Sequence, residues 1–135
     1  MDAIDTRIIE MLNKNARESF ANIGKSVELS APAVGNRVKH LEEKGIIRGY
    51  SLLLNHEKLG INTKAYIILK IHQSSTLRTA YNQIRCLPEV QRCDRITGED
   101  SLCILGYFRD NKDLVNLLER ISQYGVPNTS IILES

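Results

Sequence analysis

At 135 residues, with 42% hydrophobic and 25% charged side chains, the chain has the make-up of one ordinary folded domain or two small ones, which excludes a disordered tail. No apolar run approaches the roughly 18 residues of a membrane span, and the opening MDAIDTRIIE is acidic where a targeting segment is basic; a cytoplasmic protein with no membrane partner is expected. The net charge is only +2, and residues 1–62 and 63–135 each hold nine Lys/Arg and eight Asp/Glu, so a nucleic-acid function must rest on local placement of charge.

The first half reads as helices. Ile4, Ile8, Met11 and Leu12 recur at helical spacing behind Asp2 and Asp5, acids suited to a helix start. Ser19 is placed to cap a short second helix carrying Phe20, Ile23 and Val27 on one face. Ser30 is placed to cap a third, with Pro32 in its first turn, Val34, Val38 and Leu41 as its buried stripe, and Gly45 as its left-handed stop. IIRGYSLLLN then reads as β-structure, a short hairpin or wing running into a longer strand, and HEKLGIN as a hinge.

The second half changes period. TKAYIILKIH is a strand and STLRTAYNQIRCL a helix. VQRCDRI and SLCILGYF are strands joined by the turn TGED. DNKDLVNLLERISQY is a helix capped by Asp110 and stopped by Gly125, and NTSIILE closes the sheet. The order βαββαβ is that of a ferredoxin-like plait. The expected class is α+β: an N-terminal winged helix-turn-helix over residues 1–50, a linker strand and hinge over 51–62, and a plait over 63–135.

Such a plait keeps both helices on one sheet face, yet SLCILGYF is apolar on both alternations: Cys103, Leu105 and Tyr107 on one, Leu102, Ile104 and Phe108 on the other. An apolar open face needs a cover. A second copy of the chain is the expected one, with the N-terminal helices as the alternative. Cys86, Cys93 and Cys103 are odd in number and lack CxxC spacing, which points to reduced, buried thiols and to no metal site. His40, His56 and His72 are scattered over helix, linker and strand end, and no Gly-rich phosphate loop is present; neither catalysis nor a cofactor is indicated.

Three short helices followed by a hairpin match the winged helix-turn-helix, in which the third helix enters the major groove. A wheel centred on Val34, Val38 and Leu41 turns Pro32, Asn36, Lys39 and Glu43 outward, with Ala33 and His40 on one shoulder. The reading part is confined to Ser30 through His40. Asn36 suits adenine and Ala33 a thymine methyl. Arg37, nearer the buried stripe, Lys39, and Arg48 from the wing are the phosphate candidates. Taken alone, a helix of mixed charge is ordinarily just solvated, and Glu42 and Glu43 would repel phosphate unless they lie beyond the groove.

The pattern S30-xxx-V34-xx-R37-V38-xx-L41-E42-xx-G45-I46-I47-xx-Y50, the opening ID-x-x-I-I-x-x-L and the later Leu59-Gly60 resemble the Lrp/AsnC family of transcriptional regulators over nearly the whole chain. The resemblance implies a regulator binding double-stranded DNA as homodimers assembled into octamers and modulated by an amino-acid effector. It implies an effector site in the turn between the second and third plait strands, where the family carries Gly-x-x-Asp. Here Gly98 matches, Ser101 stands at the Asp position, and the acids Glu99 and Asp100 fall early. The family also carries Gly where this chain has Glu28. An architectural DNA-binding protein without effector, and an enzyme of the sirohaem decarboxylase type sharing this organisation, are the rival readings.

Overall fold

A computed structural model describes all residues, Met1–Ser135. The chain divides into two compact units, Met1–Leu53 and Leu54–Ser135.

The first unit is α1 (Ala3–Lys14), α2 (Phe20–Val27) and α3 (Ala31–Glu43). Each start is capped by the residue whose side chain suits it. Asp2 and Asp5 bond each other's backbone N–H groups in a reciprocal capping box. Ser19 accepts from the Asn22 N–H and Ser30 from the Ala33 N–H. Ile8, Leu12, Ile23, Val34 and Val38 form one buried cluster, and Gly45 ends the third helix with φ 70°.

Glu28 closes α2 in the left-handed conformation, φ 57° and ψ 42°, and no other non-glycine residue has positive φ. The turn into α3 needs that conformation because the Leu29 N–H must return to Gly24 O at 2.9 Å. An L-residue holds it at a cost of about 1–2 kcal/mol.

The expected hairpin is not formed. Residues 46–55 hold no strand; the Ile46 and Ile47 N–H groups both turn back to Leu41 O, at 2.9 and 3.1 Å. The chain then runs out with Leu52, Leu53 and Leu54 exposed at 78, 103 and 50%. A strand exists only when another takes up its N–H and C=O groups, and this chain supplies no partner to that stretch.

The second unit is β1 (Thr63–Ile71), α4 (Leu77–Ile84), β2 (Val90–Ile96), β3 (Ser101–Phe108), α5 (Asn111–Ile121) and β4 (Gly125–Ile131), with single 3₁₀ turns at Glu57–Leu59 and Ser74–Thr76. The sheet is antiparallel in the order β2-β3-β1-β4. Ala65, Ile67, Leu69, Leu102, Ile104 and Phe108 pack against Leu77, Ala80, Ile84, Leu114, Leu117 and Ile121, which places both helices on one face.

Gly125 does not stop α5, which ends at Ile121 with Ser122 as its cap. It opens β4 instead, opposite Ile71. A Cβ there would lie 2.1 Å from Lys70 O, so only glycine lets the edge strand begin so close. Pro127 is tolerated within β4 because that strand is an edge.

On the other face, Tyr66 pairs Leu105, Ile68 pairs Cys103 and Lys64 pairs Tyr107. These apolar positions stay half-buried or exposed, Tyr66 at 49% and Ile68 at 37%, and Arg92 and Asp94 flank them across β2.

Replacing Glu28 by Gly removes the left-handed strain but adds freedom to the unfolded chain. The net expectation is a gain of about 0.5–1 kcal/mol, or about 2–8 °C in the melting of the helical unit. A lower melting temperature for the variant would mean that the Glu28 side chain contributes something the backbone argument omits.

Candidate nucleic-acid interface and effector turn

The third helix has an outside because its inside is filled. Val34, Val38 and Leu41 are buried, while Asn36, Lys39 and His40 are exposed and Ala33 is half-buried. Ser30 Oγ accepts from the Ala33 N–H at 3.3 Å, so that side chain is committed to the cap. Asn36 and His40 border one groove of about 330 Å³, with Arg37 and Lys44. Arg48 borders a different one, beside Leu12, Asn13 and Tyr50, and so is not gathered with the others.

The acids at the end of α3 are exposed, and each has a partner within the helical unit. Glu42 accepts from Tyr50 Oη at 2.8 Å, and burial, ahead of that bond, raises the Tyr50 phenol above its ordinary value. Glu43 lies 3.9 Å from Lys39 Nζ, a loose exposed pair that leaves Lys39 free to turn elsewhere.

Arg37 lies near the buried stripe, as the wheel expects, and it is paired with acids of α1. Its Nη1 lies 2.7 Å from Asp2 Oδ2 and 2.9 Å from Asp5 Oδ1, with the arginine side chain 32% and the Asp5 side chain 17% exposed. The two carboxylates that cap α1 therefore also hold α3. Sequence reasoning missed this second duty because the partners stand 35 and 32 residues apart and nothing local signals the pairing. For each carboxylate the largest influence is the N–H donated by the other's backbone, followed by the guanidinium; both pKa values are lowered. The carboxylates in turn raise that of Arg37.

The proposed effector residues come together at one end of the sheet. Gly98 takes φ 103° in the turn Thr97–Asp100. Glu99 is ion-paired with Lys70, and Asp100 accepts from Ser74 Oγ while its carbonyl accepts from the Ile71 N–H at 2.8 Å. Ser101 is the first residue of β3 and is buried at 8%. Lys70 and Ser74 went unremarked in the sequence because only the tertiary fold sets them against this turn.

The thiols are not all buried. Cys93 is, and burial pushes it up to about 11; Cys103 is half-buried on the open sheet face, and Cys86 is exposed just past the end of α4.

The lowered carboxylates fix the sign of an acid dependence. Their folded values lie below the ordinary 3.8, so their stabilisation is complete above that pH and is lost as pH falls through the folded values. The melting temperature of the helical unit should be lower in Asp5→Asn by a constant amount above about pH 4, the gap closing below it. A gap that persists unchanged into acid would show that the Asp5 charge is not what stabilises the helix pair.

Residues 1–42 match the model of the AsnC-type helix-turn-helix domain, and residues 64–135 that of the Lrp/AsnC ligand binding domain. The HTH-type transcriptional regulator Rv2324 of Mycobacterium tuberculosis is 37% identical over 125 residues, 90% of this chain and 82% of that protein. Among solved structures, the feast or famine regulatory protein of M. tuberculosis complexed with L-methionine superposes with a TM-score of 0.92 at 28% identity, over 99% of this chain and 92% of the other. The Neisseria meningitidis transcriptional regulator NMB0573 in its L-Met complex gives 0.89 at 28% identity, over 100% and 91%. With both of its domains matched and the regulator Rv2324 similar along most of its length, the chain belongs to the Lrp/AsnC family of helix-turn-helix transcriptional regulators.

Proposed function

We propose that this regulator reads double-stranded DNA with the outer side of α3, works as a homodimer assembled into octamers, and responds to an amino acid held near the turn Gly98–Ser101. The observation that carries the DNA reading is the division of α3 into a filled inside and an exposed Asn36, Lys39 and His40, with Glu42 bonded away to Tyr50. Asn36 and Ala33 are the base-facing residues of this reading, and Lys39 and Arg48 the phosphate-facing ones. Ser30 serves by capping the helix that presents them.

Footprinting and gel shift on the chain's own upstream DNA test this. A periodic footprint is expected, and Lys39→Ala should lower the slope of log affinity against log salt by roughly one. A slope unchanged in the variant would remove Lys39 from the interface, and binding of all sequences alike would favour the architectural reading.

The open sheet face supports the dimer: Tyr66, Ile68, Cys103, Leu105 and Tyr107 form an apolar patch rimmed by Arg92, Asp94 and Lys64, the arrangement of an interface core with a polar rim. The two relatives bound to L-methionine support an amino-acid effector, although Ser101 stands at the acidic position. Asp100 is the residue placed to receive an ammonium group, in exchange for the Ser74 hydroxyl it now holds. Sedimentation of the chain, alone and with each proteinogenic amino acid, tests both points. Dimers or larger particles are expected, monomers from Ile68→Glu, and a change of particle mass with at least one amino acid that Asp100→Asn abolishes. A monomeric wild-type chain would end the dimer proposal, and indifference to every amino acid would end the effector proposal.

A further inference from the structure

The third helix is held on both flanks by groups that do not belong to its outer face. On the flank toward α1, Arg37 Nη1 sits between Asp2 and Asp5 at 2.7 and 2.9 Å. Two carboxylates around one guanidinium leave that cluster of three side chains with one net negative charge, so the Arg37 charge is already answered within the unit. On the flank toward α2, the Phe20 ring lies on Gly35: a Cβ at 35 would stand 3.3 Å from ring Cε2 and 3.4 Å from Cδ2. Glycine is a poor residue inside a helix, and here the missing side chain lets the ring settle at a distance where a Cβ would be a tight contact. Phe20 is still 41% exposed, so the contact contributes less to burying apolar surface than to fixing where the two helices touch.

These contacts restrain rotation of α3 about its own axis, to which recognition is most sensitive. Successive residues differ by about 100° around a helix, so a roll of a fraction of that step turns Asn36 and Lys39 away from the groove and brings a neighbour forward. The buried stripe of Val34, Val38 and Leu41 restrains the roll less than contacts on its flanks do, because the three lie within a narrow arc of the helix. The clamp and the ring act on opposite sides of that arc.

We infer that Arg37, gripped by Asp2 and Asp5, and Phe20, seated on Gly35, set the roll of the recognition helix and so decide which side chains meet DNA; Arg37 is a positioning residue, not a phosphate contact. The inference rests on the reading of α3 as the DNA-facing helix. It differs from the sequence expectation for Arg37, and it adds Phe20, Gly35, Asp2 and Asp5 to the residues on which specificity depends.

The test compares the full chain with Asp2→Asn/Asp5→Asn, Arg37→Gln, Arg37→Lys and Phe20→Ala, well below each variant's melting temperature. Affinity is measured over a salt series for a duplex from the footprinted region and for a random duplex. The double Asn variant keeps every cation, and Asn still caps a helix, so it releases the clamp without removing a phosphate partner. The ratio of specific to random affinity should fall about tenfold or more in the double Asn variant, in Arg37→Gln and in Phe20→Ala, with the salt slope unchanged. Arg37→Lys should recover part of the loss. A slope lower by roughly one in Arg37→Gln, with the double Asn variant discriminating normally, would make Arg37 a phosphate contact and overturn the inference. Normal discrimination in every folded variant would overturn it too, leaving the contacts a role in stability alone.

A second arm needs no DNA. Amide hydrogen exchange across Ala31–Glu43 should quicken as far as His40 in the double Asn variant, and exchange altered only around residues 2 to 5 would overturn the inference. A wild-type chain that binds no duplex would defeat the regulator reading by itself, and the exchange result would still decide the clamp.

Discussion

Burial of Val34 and Val38 against Ile8, Leu12 and Ile23 is the interaction on which the helical unit depends. Without it α3 has no inside, and therefore no outside to present. The cluster is small, and a unit of 53 residues leaves much of its surface in water. Its orientation then relies on polar groups at the edges: the Asp2–Asp5 box, the two serine caps, the Arg37 clamp and the Glu42–Tyr50 bond. Exposed ion pairs add little stability, but they add direction, and a helix that reads another molecule needs direction.

The same geometry answers why α3 carries acids at all. Glu42 and Glu43 would oppose phosphate if they pointed outward from the reading turns. Glu42 is bonded to Tyr50 in the following segment and Glu43 lies beside Lys39, which keeps both acids at the helix end, away from the first two turns.

Two features of a single chain are incomplete for one physical reason. The stretch around Leu52–Leu54 is apolar, exposed and without a strand to pair with, and the sheet of the second unit shows Tyr66 and Ile68 on its open face. Backbone polar groups and apolar side chains both demand partners. An amino-acid-responsive assembly, as proposed, would couple effector to DNA only if the effector favours one association of such surfaces over another.

What the sequence determined by itself was the local signals that act within a few residues. Helix starts at Asp2, Ser19, Ser30 and Asp110 were legible because a cap acts three residues away, and the strands because their period is two. The buried stripe of α3, and with it the outward set Asn36, Lys39 and His40, followed from spacing alone. What only the tertiary structure decided were contacts between residues remote in the chain. That Arg37 joins α3 to α1 was not visible until Asp2 and Asp5, 35 and 32 residues away, were found bonded to its guanidinium. Gly125 looked like a helix stop until Lys70 O was found where its side chain would be. The wing looked like strand because its composition is that of strand, and it is not one because a strand is a property of two segments. Sequence pattern encodes what a residue prefers; which preference prevails depends on what the fold sets against it.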